Sequence, residues 1–512
     1  MQNQIDHSRM NQRFKWWLLV VSVLTTAILI VAALSENVFA PWRMIRQDYA
    51  RVLEEKATDD RGKAIAGQFE VRIVQNVLPE LATIDRCITC HPGIDDPRMT
   101  DAKLPFRTHP GDYLIHHPPD KFGCTVCHRG QGRALVFEEA KAVGHHWDYP
   151  LLPANLTQSS CGLCHTDEEI ANDGGEKYAL GKALFDSKGC VACHKLNGRG
   201  GSLGPGLDGV GLKVRAQLPM ASVKGDHTLP QWLLEHFEDP QRVVANSLMR
   251  PPQLSAAENE ALTIYMLSLQ DRDLPKSYLS PHKHREFYDQ HFPQPQSGED
   301  LFNQYCAVCH DTGEYGRYDK FYKKFIPAIR GSSLVQAASA EYFDENIRRG
   351  RPGTLMVPWN TETSGLSGED LSKITEYLRS APVPDGERLA PELEQIAADS
   401  SFRAVGGVSR GLDLFRRHCV GCHGPVGEGQ LGPAINNPVF QQTATDGFLF
   451  VTIAAGRRNT AMPGFLNEGQ GGLTEEDISS LVAYVRSLGA EPTSQVADGN
   501  VESSNPALAR SN

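Results

Sequence analysis

The 512 residues fall into three regimes of hydrophobic patterning. Residues 16–34, WWLLVVSVLTTAILIVAAL, carry no charge and come near the length that a helix needs to cross a bilayer. Residues 41–172 contain no closing helix comparable to those that follow and read as dense loops. Beyond them one pattern occurs three times: LSAAENEALTIYMLSL, LSGEDLSKITEYLRSA and LTEEDISSLVAYVRSL. Apolar positions three and four apart predict an amphipathic helix in each. Ser255 to Glu258, Ser367 to Asp370 and Thr474 to Asp477 have the Ser/Thr-x-x-acid spacing of N-caps, two of them with Asp in place of Glu. A tyrosine follows the first leucine by eleven residues in every copy: Tyr265, Tyr377 and Tyr484. The same repeats open on Gly181-x-x-Leu184-Phe185, Gly298-x-x-Leu301-Phe302 and Gly411-x-x-Leu414-Phe415.

This patterning sets the expected organisation. A short N-terminus (1–15) precedes a transmembrane signal anchor (16–35) and a loop-rich domain (36–172). Three helical domains follow at 173–272, 297–383 and 405–490, joined by polar linkers at 273–296 and 384–404. The tail, 491–512, has the polar composition of disorder. Arg9, Arg13 and Lys15 precede the apolar run and Glu36 follows it, which predicts a cytoplasmic N-terminus and a single span. A cleaved signal peptide ending at Val38-Phe39-Ala40 is the alternative. Its apolar region is typically about 7–15 residues, shorter than this run, and Pro41 would stand just after the cut. A net charge of -11 without a basic run in the main body excludes nucleic acid as a partner.

The cysteines change the picture most. All twelve fall in pairs: Cys87/Cys90, Cys124/Cys127, Cys161/Cys164, Cys190/Cys193, Cys306/Cys309 and Cys419/Cys422. A histidine follows each pair at once: His91, His128, His165, His194, His310 and His423. Zinc sites, redox dithiols and disulfide frameworks do not require that histidine, whereas haem c attachment does. Residues i, i+3 and i+4 share a helical face, so two thiols can form thioethers while the imidazole reaches the iron. The sequence therefore predicts six covalently bound haem c groups. Haem c is attached outside the cytoplasm, so the body is expected on the periplasmic or extracytoplasmic side of the cytoplasmic membrane.

An opening and a closing helix around such a motif resemble the class I cytochrome c fold, three times over. The expected architecture is mainly α: one transmembrane helix, a loop-rich trihaem domain, then three tandem class I domains. In that family a proline carbonyl accepts the Nδ1 proton of the haem histidine. The resemblance gives this part to Pro205, Pro327 and Pro433, and the sixth ligand to Met249, Met356 and Met462. Residues 41–172 have no methionine so placed but hold five histidines outside the motifs: His109, His116, His117, His145 and His146. The stretches RCITCHPGIDDP, FRTHPGDYLIHHPPDKFGCTVCHRGQGRA and SSCGLCH resemble small multihaem cytochromes, which implies bis-histidine ligation. The preferred distal set is His109, His117 over His116, and His145 over His146, with the alternatives open at the last two. His282, His284 and His291 read as exposed linker residues.

Haems with both axial positions filled exchange electrons at their edges, and Met/His ligation raises the potential. The resemblance thus implies a hexahaem electron carrier rather than an enzyme. Its donor would be a membrane quinol-oxidising complex of the cytochrome bc type or another membrane oxidoreductase. Its acceptor would be a soluble cytochrome, an oxidase or a reductase. The alternatives are a haem enzyme with one open iron, of nitrite reductase or peroxidase type, and the cytochrome subunit of a membrane-bound dehydrogenase.

Overall fold

The computed structural model describes residues 7–144, 146–283, 296–466 and 472–489. The expected tail, His145, His284 and His291 lie outside them. The chain is mainly helical, with three two-stranded antiparallel hairpins among the described residues. It divides into two compact units, Met1–Phe185 with Asp208–Gln294, and Asp186–Leu207 with Pro295–Asn512.

The first unit begins with helix α1, His7–Asn37. Its Asn11–Asn37 stretch is long and apolar enough to cross a membrane, with its apolar side chains exposed. Helix α2, Pro41–Lys56, buries Tyr49 and Leu53 against Ala66, Met99 and Ala102. Met99 is thus core filler. Strands β1 (Asn76–Leu78) and β2 (Thr83–Asp85) form a hairpin that ends on a fully buried aspartate, Asp85. From there to residue 172 the chain consists mostly of turns and helices of three to ten residues. Helices α3 (Glu176–Ser187) and α4 (Ala256–Ser268) then cross.

The crossing follows from the sequence repeat. A Cβ added to Gly181 would stand 2.1 Å from the carbonyl oxygen of Ala261. A glycine is therefore needed where the two backbones touch. One turn on, Phe185 packs against Tyr265 with ring centroids 5.1 Å apart. Such an aromatic pair adds about 0.5–1.5 kcal/mol beyond the area it buries. Ser255 and Glu258 form a reciprocal capping box that fixes where α4 starts.

The second unit repeats this device twice. Helices α5 (Gly298–Tyr305) and α7 (Gly368–Arg379) cross at Gly298, whose added Cβ would lie 2.1 Å from the Lys373 carbonyl oxygen. Helices α8 (Val408–His418) and α10 (Glu475–Ser487) cross at Gly411, 2.0 Å from the Ser480 carbonyl oxygen by the same measure. Phe302 meets Tyr377 at 5.4 Å and Phe415 meets Tyr484 at 5.0 Å. Ser367 with Asp370 and Thr474 with Asp477 close the two capping boxes. Between the crossing helices lie α6 (Ala340–Arg349) in one repeat and α9 (Asp446–Ala455) in the other. Hairpins β3–β4 (Lys195–Leu196, Arg199–Gly200) and β5–β6 (Arg317–Asp319, Lys324–Ile326) lie in this unit too.

Candidate haem-binding sites

In the first unit the structure brings two pairs of histidines together. His109 and His128 have ring centroids 6.2 Å apart, inclined at 73°. His117 and His165 stand 5.8 Å apart, again at 73°. A metal about 2 Å from each of two facing nitrogens would put the centroids about 6 Å apart. The Nδ1 of His109 lies 2.8 Å from the Pro110 carbonyl, and that of His117 lies 3.1 Å from the Tyr113 carbonyl. Each ring nitrogen facing a carbonyl must carry the proton, which leaves the Nε2 lone pair for a metal. His165 Nδ1 lies 3.6 Å from the Glu169 carboxylate, and Glu169 is held in place by its own capping box with Thr166.

The neighbouring candidates are placed differently. His116 is exposed, and its Nε2 lies 3.9 Å from the Asp112 carboxylate. His146 is also exposed. Burial lowers the pKa of His91 against a hydrogen bond to the Pro105 carbonyl, and no second histidine ring packs on it among the described residues.

In the three repeats the proline loops reach the histidines. Nδ1 lies 2.8 Å from the Pro205 carbonyl in His194, 3.4 Å from that of Pro327 in His310 and 2.9 Å from that of Pro433 in His423. A Cβ on Gly204 would come within 2.3 Å of the His194 ring, and one on Gly432 within 3.1 Å of His423. The second repeat has Ile326 where the others have these glycines, and its bond is the longest. Burial lowers the pKa of His310 to about 4, which keeps the ring neutral as a ligand must be.

Each methionine sits in a loop closed on itself. Thr354 Oγ1 donates to the Arg351 carbonyl at 2.8 Å and accepts the Met356 N–H at 3.1 Å. Thr460 does the same between Arg457 (2.7 Å) and Met462 (3.2 Å). In the first repeat Ser247 Oγ accepts the Met249 N–H at 3.2 Å, and Gln241 Nε2 holds the Met249 carbonyl at 2.5 Å. The Gly-Arg-x-x-Thr-x-Met spelling shared by Gly350–Met356 and Gly456–Met462 is the signal in the sequence that points to these arginines.

The cysteines match attachment chemistry. None forms a disulfide. Burial pushes the Cys127, Cys190 and Cys306 thiols up to about 12. Two cysteines differ in their surroundings. Cys422 is exposed, whereas the other eleven are half-buried. The loop beside it bonds only its backbone: the Cys422 carbonyl accepts the N–H groups of Gln430 at 3.2 Å and Gly432 at 2.8 Å. Cys309 is half-buried, and its carbonyl accepts a bond from Arg317 Nη2 at 3.0 Å. Burial, and then the charge that Cys309 would carry, push the Cys193 thiol of the preceding motif up to about 11. These two motifs therefore stand near one another.

Asp85 was not foreseen. Its carboxylate accepts the N–H of Cys87 at 2.9 Å, of Cys124 at 2.7 Å and of Thr125 at 3.0 Å. One buried acid therefore ties together the first two motifs, whose leading sulfurs and this carboxylate all lie within 4.8 Å. In the second unit, the loop before Cys190 packs on the motif of the next repeat. A Cβ on Gly189 would lie 2.9 Å from Val308, and Arg199 pairs with Asp370 at 3.2 Å.

Parts of the chain are similar to known proteins. Residues 178–270 match the family model for cytochrome c. Residues 293–378 and 406–485 match that for cytochrome c oxidase, cbb3-type, subunit III. The cbb3-type cytochrome c oxidase subunit FixP of Bradyrhizobium sp. (strain ORS 278) is 24% identical over 202 residues, 38% of this chain and 60% of that protein. Cytochrome c-L of Methylorubrum extorquens is 37% identical over 84 residues, 16% of this chain and 40% of its own length. The cytochrome bc1 complex cytochrome c subunit of Corynebacterium diphtheriae is 27% identical over 222 residues, 39% of this chain and 68% of that subunit. The chain thus spans less than two thirds of the first two relatives.

Proposed function

The chain is a multihaem c-type cytochrome that takes part in electron transfer, and from that premise we propose that it is a hexahaem carrier without catalysis of its own. On this reading it works at the outer face of the membrane, anchored by α1. It accepts electrons from a quinol-oxidising complex of the cytochrome bc type or another membrane oxidoreductase. It delivers them to a soluble cytochrome, an oxidase or a reductase. The relatives named for an oxidase and for a bc1 complex support a place beside membrane complexes.

The observation that carries the reading is the pairing of His109 with His128 and of His117 with His165. His128 with His109 and His165 with His117 would hold two irons of the trihaem domain. By the class I resemblance, His310 with Met356 and His423 with Met462 would hold the irons of the second and third repeats, and His194 and Met249 are the candidates of the first. Bound haem c supplies one-electron exchange at its edge and, with both axial positions filled, no substrate site at iron. The residues do the rest. The proline carbonyls fix the tautomer and direction of three histidines, while Ser247, Thr354 and Thr460 fix the methionine loops.

A second reading rests on His91, which has no histidine facing it among the described residues. An open iron there would make the trihaem domain an enzyme of nitrite reductase or peroxidase type. The proposed remaining ligand of the domain is His145, with His146 as the alternative, and His145 lies outside the described residues. Electron paramagnetic resonance of the full-length oxidised protein tests both readings. We expect low-spin signals throughout and slow carbon monoxide binding on reduction. His109→Ala should create one high-spin site, and His116→Ala should leave the spectrum unchanged. High-spin iron in the unmodified protein, with turnover of nitrite or peroxide, would reverse the choice.

A further inference from the structure

Two guanidinium groups stand at the methionine loops of the second and third repeats. Gly350 and Gly456, at φ of 60° and 74°, end α6 and α9, and an arginine follows each. The Arg351 N–H donates to the Met356 carbonyl at 2.7 Å, and the Arg457 N–H to that of Met462 at 3.0 Å. Beyond the backbone the two differ. Arg351 donates to Asn346 Oδ1 at 3.0 Å and to the Tyr342 hydroxyl at 2.9 Å. Arg457 instead leaves its own repeat and donates to the Ala328 carbonyl at 3.0 Å. Ala328 follows Pro327, whose carbonyl faces the His310 ring.

Among the described residues Arg457 has no carboxylate to balance it. Its Nε is buried without a hydrogen-bond partner. Arg351 adds a second positive charge nearby. A buried cation without a counter-charge is strongly unfavourable, so this position calls for an anion that the described chain does not supply. Haem c carries two propionate carboxylates, and a guanidinium is the side chain best shaped to take one. We propose that Arg457 of the third repeat pairs with a propionate of the haem held by the second. One domain would then supply the counter-charge for its neighbour's cofactor and raise that cofactor's potential. The proposal rests on the reading that His310 and Met356 hold the iron.

The test is a redox titration of the full-length protein. Arg457→Gln removes the charge but keeps a donor for the Ala328 carbonyl, whereas Arg457→Lys keeps the charge. A positive charge beside a haem favours the reduced state. In Arg457→Gln, one methionine-ligated haem should therefore lose about tenfold in its reduced-to-oxidised ratio, about 59 mV for one electron. Arg457→Lys should lose much less. Adding Met356→His moves the second repeat's haem to a lower window, and the Arg457→Gln shift should follow it there. A shift that stays with the third repeat, or none while the sulfur-to-iron charge-transfer band persists, overturns the proposal and makes Arg457 a mere clamp between repeats. Absence of that band from the unmodified protein would remove the methionine assignment itself, and the proposal with it. Should Arg457→Gln fail to hold haem, the propionate bending mode in resonance Raman decides. It should differ between Arg457→Lys and the unmodified protein, and an identical mode counts against the pairing.

Discussion

Asp85 links the first two Cys-x-x-Cys-His motifs through a single carboxylate. It is fully buried, and both its oxygens are taken by backbone N–H groups of the first two motifs. Hydrogen bonds to a charged acceptor contribute about 1.5–3 kcal/mol each, and an amide cannot replace them all. Asp85→Asn turns an NH2 group toward at least one of these donors. We expect a loss of about 2 kcal/mol in stability, seen as a lower melting temperature. The potentials of the first two haems should also rise, because a negative charge beside them is gone. A redox titration that leaves every low-potential step in place would disprove the second effect. Nothing in the sequence announced this residue. An aspartate two positions before a cysteine is unremarkable until the fold brings Cys124 to the same carboxylate. Histidines were half legible: their number suggested paired ligation, but His116 and His117 are adjacent and separate only through Tyr113 and His165.

At the level of elements, the crossing helices were the most legible part of the chain. Glycine, phenylalanine and tyrosine recur at fixed spacing because each meets the partner helix at one place. A Cβ at Gly298 would face a backbone oxygen, which cannot swing aside as a side chain can. Gly298→Ala should therefore push α5 off α7 and cost about 1–3 kcal/mol. Gly368→Ala, in the same repeat with nothing within 4 Å of an added Cβ, should be neutral or stabilising. Equal melting temperatures for the two variants would show that the crossing tolerates a methyl group. The arginines of the methionine loops were visible as a repeated Gly-Arg yet silent in meaning. Arg351 and Arg457 occupy one register but reach different partners, and a repeat cannot encode that.

For the whole molecule, the number of haems is the claim most simply put to measurement. Intact mass spectrometry of the protein should show six additions of roughly 600 Da, one for each Cys-x-x-Cys-His. Five would identify one motif as unoccupied, and Cys→Ala changes would find it. Residues 186–207 carry the attachment motif of the first repeat but group with the second unit, where Arg199 meets Asp370 across 171 positions of sequence. Synthesis proceeds at about 5–20 residues per second. Cys190 and Cys193 therefore emerge about ten to thirty seconds before the residues that pin their loop have been made. During that interval the two thiols stand on a loop that lacks its lid, open to the attachment machinery and equally to oxidation into a disulfide. Slow elongation through residues 298–370 would favour haem loading at this motif only where the compartment keeps that pair reduced.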